Sequence, residues 1–377
     1  MTIAVLSTQD TKAAESVYLA ALLKEHGVAA EIVDTQPRKW TQQTRDRGAT
    51  LSLAGENIRD HVLPRISTGE LSGLCVLAGA SGAALTSALL SAVPHGFPSV
   101  LLSPVASATL RPYIGSSDTI VIPTVVDFGR RNAYLDFALR RASNILAGLV
   151  AGGGYPRAAA DHFAGTSFGV TSGLVDAVGD KLKSEMNKSL VLFSSNGTGG
   201  EAYERFVTSK LVSGAVDVTL SELADELCGG VLSAGPSRGW GAALSEVPVV
   251  MAPGGIDFIN FGGPQSVPER FRNRATYHHT PSITLVRTSE DENFELGKEV
   301  GKRSAASKWG VVIVPTQGFS VLSTPDGPFW EPKADDAFLQ GLSEVPGAQF
   351  TRVHDEINGS KTADAVLQQC KEWKGIN

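Results

Sequence analysis

The residues best suited to chemistry in this chain are glycines and small polar groups, not an obvious nucleophile. The run Phe193-Ser194-Ser195-Asn196-Gly197-Thr198-Gly199-Gly200-Glu201 follows an apolar stretch and opens a helical one. Glycine admits positive φ and lets a ligand approach the backbone, while unpaired N–H groups at a helix start attract anions. Asn196, Gly197, Thr198, Gly199 and Gly200 are therefore candidate ligand contacts. The plainer alternative is a tight strand-to-helix turn capped by Thr198. Three glycines where two would make the turn favour a ligand. The run lacks the Lys-Ser/Thr ending of a P-loop and is not the dinucleotide fingerprint.

A second loop, Leu77-Ala78-Gly79-Ala80-Ser81-Gly82-Ala83, repeats the placement and offers Gly79, Ser81 and Gly82. Alone it is balanced against simple close packing of helix on strand. A third, Met251–Phe261, has Gly254-Gly255 breaking a strand and delivering Asp257 just outside the sheet edge. A carboxylate there suits Mg²⁺, a ribose hydroxyl or general-base work, and equally suits a helix cap. Asp10 and Lys12 in the first strand-to-helix loop, Ser103, Ser107 and Asp127 are further strand-end candidates, with Lys12 the natural phosphate partner. His278 and His279 are adjacent, point apart in an extended chain and do not chelate one metal. His278 is the candidate general base to pair with Asp257. No metal-ligand spacing and no Gly-x-Ser-x-Gly elbow occurs. Glu222, Asp225 and Glu226 read as a solvated acidic helix face, with Glu222 at the helix start.

The elements that must position these groups alternate. Strands are expected at Ile3–Leu6, Glu31–Val33, Leu74–Leu77, Ser99–Leu102 and Thr119–Ile122, with helices at Glu15–His26 and Ala133–Val150. In the second half strands are expected at Ser167–Val170, Leu190–Phe193, Val216–Thr219, Val247–Met251, Ile283–Val286 and Val311–Val314. Helices fill Leu174–Lys183, Glu201–Val212, Glu222–Leu227, Pro236–Leu244 and Asp291–Ser304. Such alternation predicts α/β architecture: two Rossmann-like, doubly wound, mostly parallel domains. The break Gly152-Gly153-Gly154-Tyr155-Pro156 reads as a linker, dividing the chain into 1–155 and 156–377.

Size and charge agree. A chain of 377 residues, 42% hydrophobic and 19% charged, suits two packed domains. Its net charge of −6 argues against a nucleic-acid binder, which needs a basic face. Three scattered cysteines form no disulfide framework, and Cys75 in its apolar run reads as a buried, inert thiol. With no signal-like start and no membrane-length apolar run, a cytoplasmic location is expected.

With these motifs on the page, the chain resembles the family of ATP-binding domains related to the tomato mosaic virus resistance protein. The resemblance runs from Asp10-Thr11-Lys12 through Gly79–Gly82, Ser103–Ser107, Val125-Val126-Asp127 and Phe168–Thr171. It continues over Gly197–Gly200, Asp217–Glu222, Gly230–Pro236, Pro253–Phe261 and Tyr277–Thr288. It implies two Rossmann-like subdomains, nucleotide binding (ATP with magnesium) and a homodimer or higher homo-oligomer. The first glycine loop here carries alanines where the family is richer in glycine. The expected function is binding of a nucleotide or other small anionic metabolite in an interdomain cleft. The alternative is an ATP-independent hydrolase or lyase acting on a small carbonyl compound with an Asp257/His278 acid–base pair. A role through a macromolecular partner has less support in the sequence.

Overall fold

The computed structural model describes residues 1–105, 107–152 and 161–373, with backbone alone at 107 and 108. The chain forms two compact units, Met1–Pro156 and Arg157–Asn377. The expected linker lies, beyond Gly152, outside the described residues.

In the first unit, β1 (Thr2–Ser7), α1 (Gln9–Glu25), β2 (Ala29–Asp34), α2 (Arg47–Ser67), β3 (Gly73–Leu77) and α3 (Ala80–Ala92) follow in order. β4 (Ser99–Ser103), α4 (Ser107–Ile114), β5 (Ile120–Pro123) and α5 (Ala133–Ala151) complete it. The five strands are parallel in the order β2-β1-β3-β4-β5. Alternation along β1 explains both layers. Ile3 and Val5 join the core with Leu19, Leu22 and Leu139, while Ala4 and Leu6 join that of Ile58, Leu85 and Leu89. Each fully buried large aliphatic contributes about 1.5–3 kcal/mol. Cys75 lies in this core, where burial pushes its thiol far up, as its apolar run implies.

The second unit holds β6 (His162–Ser167), α6 (Ser172–Met186), β7 (Ser189–Ser194), α7 (Thr198–Thr208), β8 (Gly214–Thr219) and α8 (Ser221–Cys228). After α9 (Gly241–Ser245) and β9 (Val249–Gly254), the chain forms β10 (Phe258–Phe261), β11 (Thr276–Thr280) and β12 (Ile283–Arg287). It ends with α10 (Glu290–Ala306), β13 (Gly310–Pro315), α11 (Pro332–Ser343), β14 (Phe350–Val353) and α12 (Ser360–Glu372). Six parallel strands run β14-β13-β9-β8-β6-β7, and β10, β12 and β11 form a separate antiparallel sheet. Both units are thus Rossmann-like. No described helix is long and apolar enough to cross a membrane.

Several expectations are corrected. The strand expected at Ser167–Val170 ends at Ser167; Gly169–Thr171 is a 3₁₀ turn. The helix expected over Pro236–Leu244 is confined to Gly241–Ser245, because Gly235 and Gly239 take φ values of 80° and 82°. Ile283–Val286 belongs to the antiparallel sheet and not to the main one. Asp10 and Lys12 lie on the first turn of α1, not in a loop before it, and Lys12 kinks that turn at φ −133°.

Candidate functional site

In a doubly wound sheet, ligands bind outside the carboxyl ends of strands where the winding direction reverses. In the first unit that point lies between β1 and β3, whose following helices cover opposite faces. α1 packs with α5, and α3 with α2 and α4.

Two features meet at this edge. α3 begins at Gly79 with no side-chain cap, and its first helical bond runs from Ala83 N–H to the Gly79 carbonyl. The N–H groups of Ala80, Ser81 and Gly82 have no hydrogen-bond partner among the described residues. A Cβ on Gly79 would meet open space, and the Ser81 side chain is exposed. On the neighbouring turn, Lys12 Nζ donates to Thr11 Oγ1 (3.1 Å) and Thr8 Oγ1 (3.3 Å), and lies 5.4 Å from the Phe128 ring centroid. It has no carboxylate partner within the described residues. Asp10 and Asp127 are exposed here, and Asp127 Oδ1 accepts the N–H of Phe128 (2.8 Å). Ser103 is buried, its Oγ accepting from Val105 N–H. Ser107 starts α4, and its side chain lies outside the description.

In the second unit, the glycine loop after the outermost strand β7 is filled by the protein itself. Gly197 has φ 88°, as the sequence pattern requires, but its N–H donates to Glu222 Oε1 at 2.7 Å. Gly200 N–H donates to the same oxygen at 3.1 Å, and Gly199 N–H to Asn196 Oδ1. Thr198 is the first residue of α7, its hydroxyl 3.4 Å from Asn196 Oδ1. A Cβ on Gly197 would lie 2.9 Å from the Ser233 carbonyl oxygen, so the 230–238 segment covers the loop.

Behind Glu222 stands Arg238, fully buried. Its Nε donates to Glu222 Oε2 (2.6 Å), Nη1 to Asp217 Oδ2 (2.6 Å) and Glu204 Oε1 (3.1 Å), and Nη2 to Asp217 Oδ1 (2.7 Å). Glu204 also accepts from the N–H groups of Gly239 and Gly241, both at 2.6 Å. Burial pushes the Glu204 and Glu222 carboxyls up, although Arg238 pulls the other way. Glu222 and Asp225 are therefore not on a solvated acidic face: both are buried. Asp225 accepts from Asn260 N–H (2.7 Å) and Leu232 N–H (2.8 Å), and burial raises it to about 7.

The third loop is also internal. Gly254 and Gly255 are buried; Gly255, at φ 70°, donates its N–H to the Phe319 carbonyl (2.8 Å). Asp257 is fully buried in the turn from β9 to β10, with Oδ2 accepting from Ser320 Oγ at 2.6 Å. Its Oδ1 has no hydrogen-bond partner among the described residues, and burial raises the carboxyl. His278 is exposed on β11. It pairs with Thr284, which pairs with Phe261, four residues along β10 from Asp257. The two groups are therefore separated by about 13 Å along the strands and about 10 Å across them. The structure does not bring them together.

Asp217, Glu204 and Arg238 escape sequence reasoning. Asp217 sits mid-strand and Arg238 twenty-one residues later in a turn, so no local period joins them. The one available signal is a lone acidic residue inside the apolar run Ala215–Val218, where burial demands a cation. Among the described residues, no cluster of three or more His, Cys, Asp or Glu is placed to hold a metal ion.

Comparison with known proteins follows the same division. Residues 35–153 match the N-terminal domain, and 162–374 the C-terminal domain, of the uncharacterised protein family UPF0261. A UPF0261 protein of Mesorhizobium japonicum is 31% identical, with 96% of each chain covered. A UPF0261 protein of Clostridium tetani is 30% identical over 97% of each. The ToMV resistance protein Tm-1(GCR237) of Solanum lycopersicum is 30% identical over 86% of this chain and 45% of its own length. Together these matches make the chain a member of the UPF0261 family.

Proposed function

We propose that this protein binds a small phosphate-bearing metabolite, of the nucleotide class, at the carboxyl edge of the first unit's sheet. One observation carries the reading: among the described residues, three unpaired N–H groups open α3 after β3, and on the turn that follows the neighbouring strand β1 the Lys12 ammonium has no carboxylate partner. Backbone donors at a helix start hold phosphate oxygens, and a lysine adds a point charge to them. Ser81 supplies a further hydroxyl. If the ligand is a nucleoside triphosphate, magnesium would arrive with its phosphates, and Asp10 and Asp127 are the exposed carboxylates at this edge. The glycine loop of the second unit, Asn196–Gly200, takes no part in this reading, since Glu222 accepts the Gly197 and Gly200 N–H groups and Asn196 that of Gly199.

Calorimetric titration with ATP and magnesium tests the proposal. Wild-type protein binds, and Lys12→Ala weakens binding about ten- to a hundredfold, as loss of one charge-assisted hydrogen bond implies. Absence of heat at millimolar nucleotide overturns it.

A further inference from the structure

The groups expected to work in the second unit turn inward: Gly197 and Gly200 donate to Glu222, and Asp257 is shut beneath Ser320. A different pair faces outward at the carboxyl end of that sheet. β13 ends at Pro315 and β14 at Val353, and these two residues are register partners in parallel strands. The next residue on each chain is Thr316 and His354. Thr316 Oγ1 and His354 Nδ1 lie 3.3 Å apart, with the imidazole exposed and the threonine half-buried.

Backbone bonds fix both residues. Thr316 N–H donates to the Val353 carbonyl (3.0 Å), Gln317 N–H to that of Asp355 (2.9 Å), and Ile357 N–H to that of Gly318 (3.1 Å). Asn358 donates from Nδ2 to the Val170 carbonyl (3.0 Å) and accepts from Leu174 N–H (2.9 Å), which ties in the loop after β6. Three loops at the carboxyl ends of parallel strands are thus joined into one rim, the part of an α/β sheet where chemistry is carried. A hydroxyl is a weak nucleophile until a base in contact with it takes its proton. With its proton on Nε2, the His354 ring accepts the Thr316 hydroxyl at Nδ1. Contacts of this length between base and nucleophile tighten when a substrate arrives.

We infer that Thr316 and His354 form an acyl-transfer site, with Thr316 Oγ1 the nucleophile and His354 the general base, acting on a small ester or thioester. Oγ1 bonds to the carbonyl carbon as its proton passes to His354 Nδ1. The bond from that carbon to the leaving oxygen or sulfur then breaks, and the leaving alcohol or thiol takes the proton. Water attacks the acyl-threonine, giving its proton to the same imidazole, which returns it to Oγ1 as the carboxylic acid departs. No step uses the first unit's anion site, so either reading can fail alone.

The probe is p-nitrophenyl acetate, mixed with full-length protein, quenched in acid, and followed by locating acetyl groups in peptides by mass spectrometry. Wild type is expected to carry acetyl on Thr316. Thr316→Ser keeps the label at that position and Thr316→Val loses it. His354→Asn slows the labelling about a hundredfold or more, whereas His278→Asn, which removes another exposed imidazole, leaves it unchanged. Melts without probe accompany each variant, and His354→Gln replaces His354→Asn if the latter melts low. Wild type without acetyl on Thr316, or labelling at an unchanged rate once His354 is replaced, overturns the inference.

Discussion

The loops Gly79–Gly82 and Asn196–Gly200 begin alike, as glycine-rich turns from a parallel strand into a helix, yet they end in opposite states. The second is richer in glycine, and its backbone takes the left-handed turn that glycine permits. A carboxylate from the next strand-end, Glu222, accepts two of its N–H groups, and Arg238 holds that carboxylate in place. The first, poorer loop has three donors without a partner among the described residues. Glycine content sets how closely something can approach a backbone; it does not decide whether that something is a ligand or the protein's own side chain.

The comparison is broken most severely at Arg238. Arg238→Met leaves Asp217, Glu204 and Glu222 buried without their cation, and should cost the second unit about 3–5 kcal/mol. The loss reads out as a lower urea midpoint for that unit's transition, and an unchanged midpoint would show that the network does not hold the loop. Alanine placed in each loop sharpens the contrast. A Cβ at Gly200 collides with the Glu222 carboxylate, whereas one at Gly79 meets nothing. Gly200→Ala should therefore cost about 1–3 kcal/mol, and Gly79→Ala no more than about 0.5 kcal/mol, both by denaturant unfolding.

A gentler test treats Glu222 as a resident anion. Glu222→Ala vacates the acceptor shared by Gly197 and Gly200 beside a buried guanidinium. Millimolar acetate or formate should restore part of the lost melting temperature in the variant and none in wild type.

A further test is of pH. Asp225 is held at about 7 when folded, against an ordinary value of 3.8. The folded state thus keeps a proton that the unfolded chain releases. This stability is fully present below about pH 4 and is lost as pH rises through about 7. Thermal melts from pH 5 to 8 should decline for this reason, and Asp225→Asn should flatten the decline.

Much of the architecture was legible because parallel strands buried on both faces are written as short apolar runs. Leu74–Leu77 and Ser99–Leu102 are found in place for that reason. β6 was shifted because its sequence, His-Phe-Ala-Gly-Thr-Ser, is not such a run: Gly165 sits under the Leu190 and Leu192 side chains, so small residues serve where apolar ones were sought. β11, Thr-Tyr-His-His-Thr, is exposed throughout and held by pairing with β12, which leaves no hydrophobic period to read. At the site, Lys12 and Gly79–Gly82 were visible as residue types on strand-to-helix connections. The state of the second loop was not, because it depends on a carboxylate twenty-two residues away from Gly200 and an arginine sixteen further on. Asp257 shows the same limit: Gly254-Gly255 announces a turn, but Ser320, sixty-three residues later, closes over it.

The buried carboxyls have a consequence for how the molecule moves in an electric field. Counting residues gives a net charge of −6 and an isoelectric point near 5.7, with every acid assigned its free-peptide behaviour. Asp225 is held at about 7 in the folded protein, so at pH 5.7 it carries a proton that the unfolded chain has shed. The native protein should therefore focus above pH 5.7, and the same chain in urea close to it. The gap between the two bands is a direct electrophoretic record of the acids folded away from water.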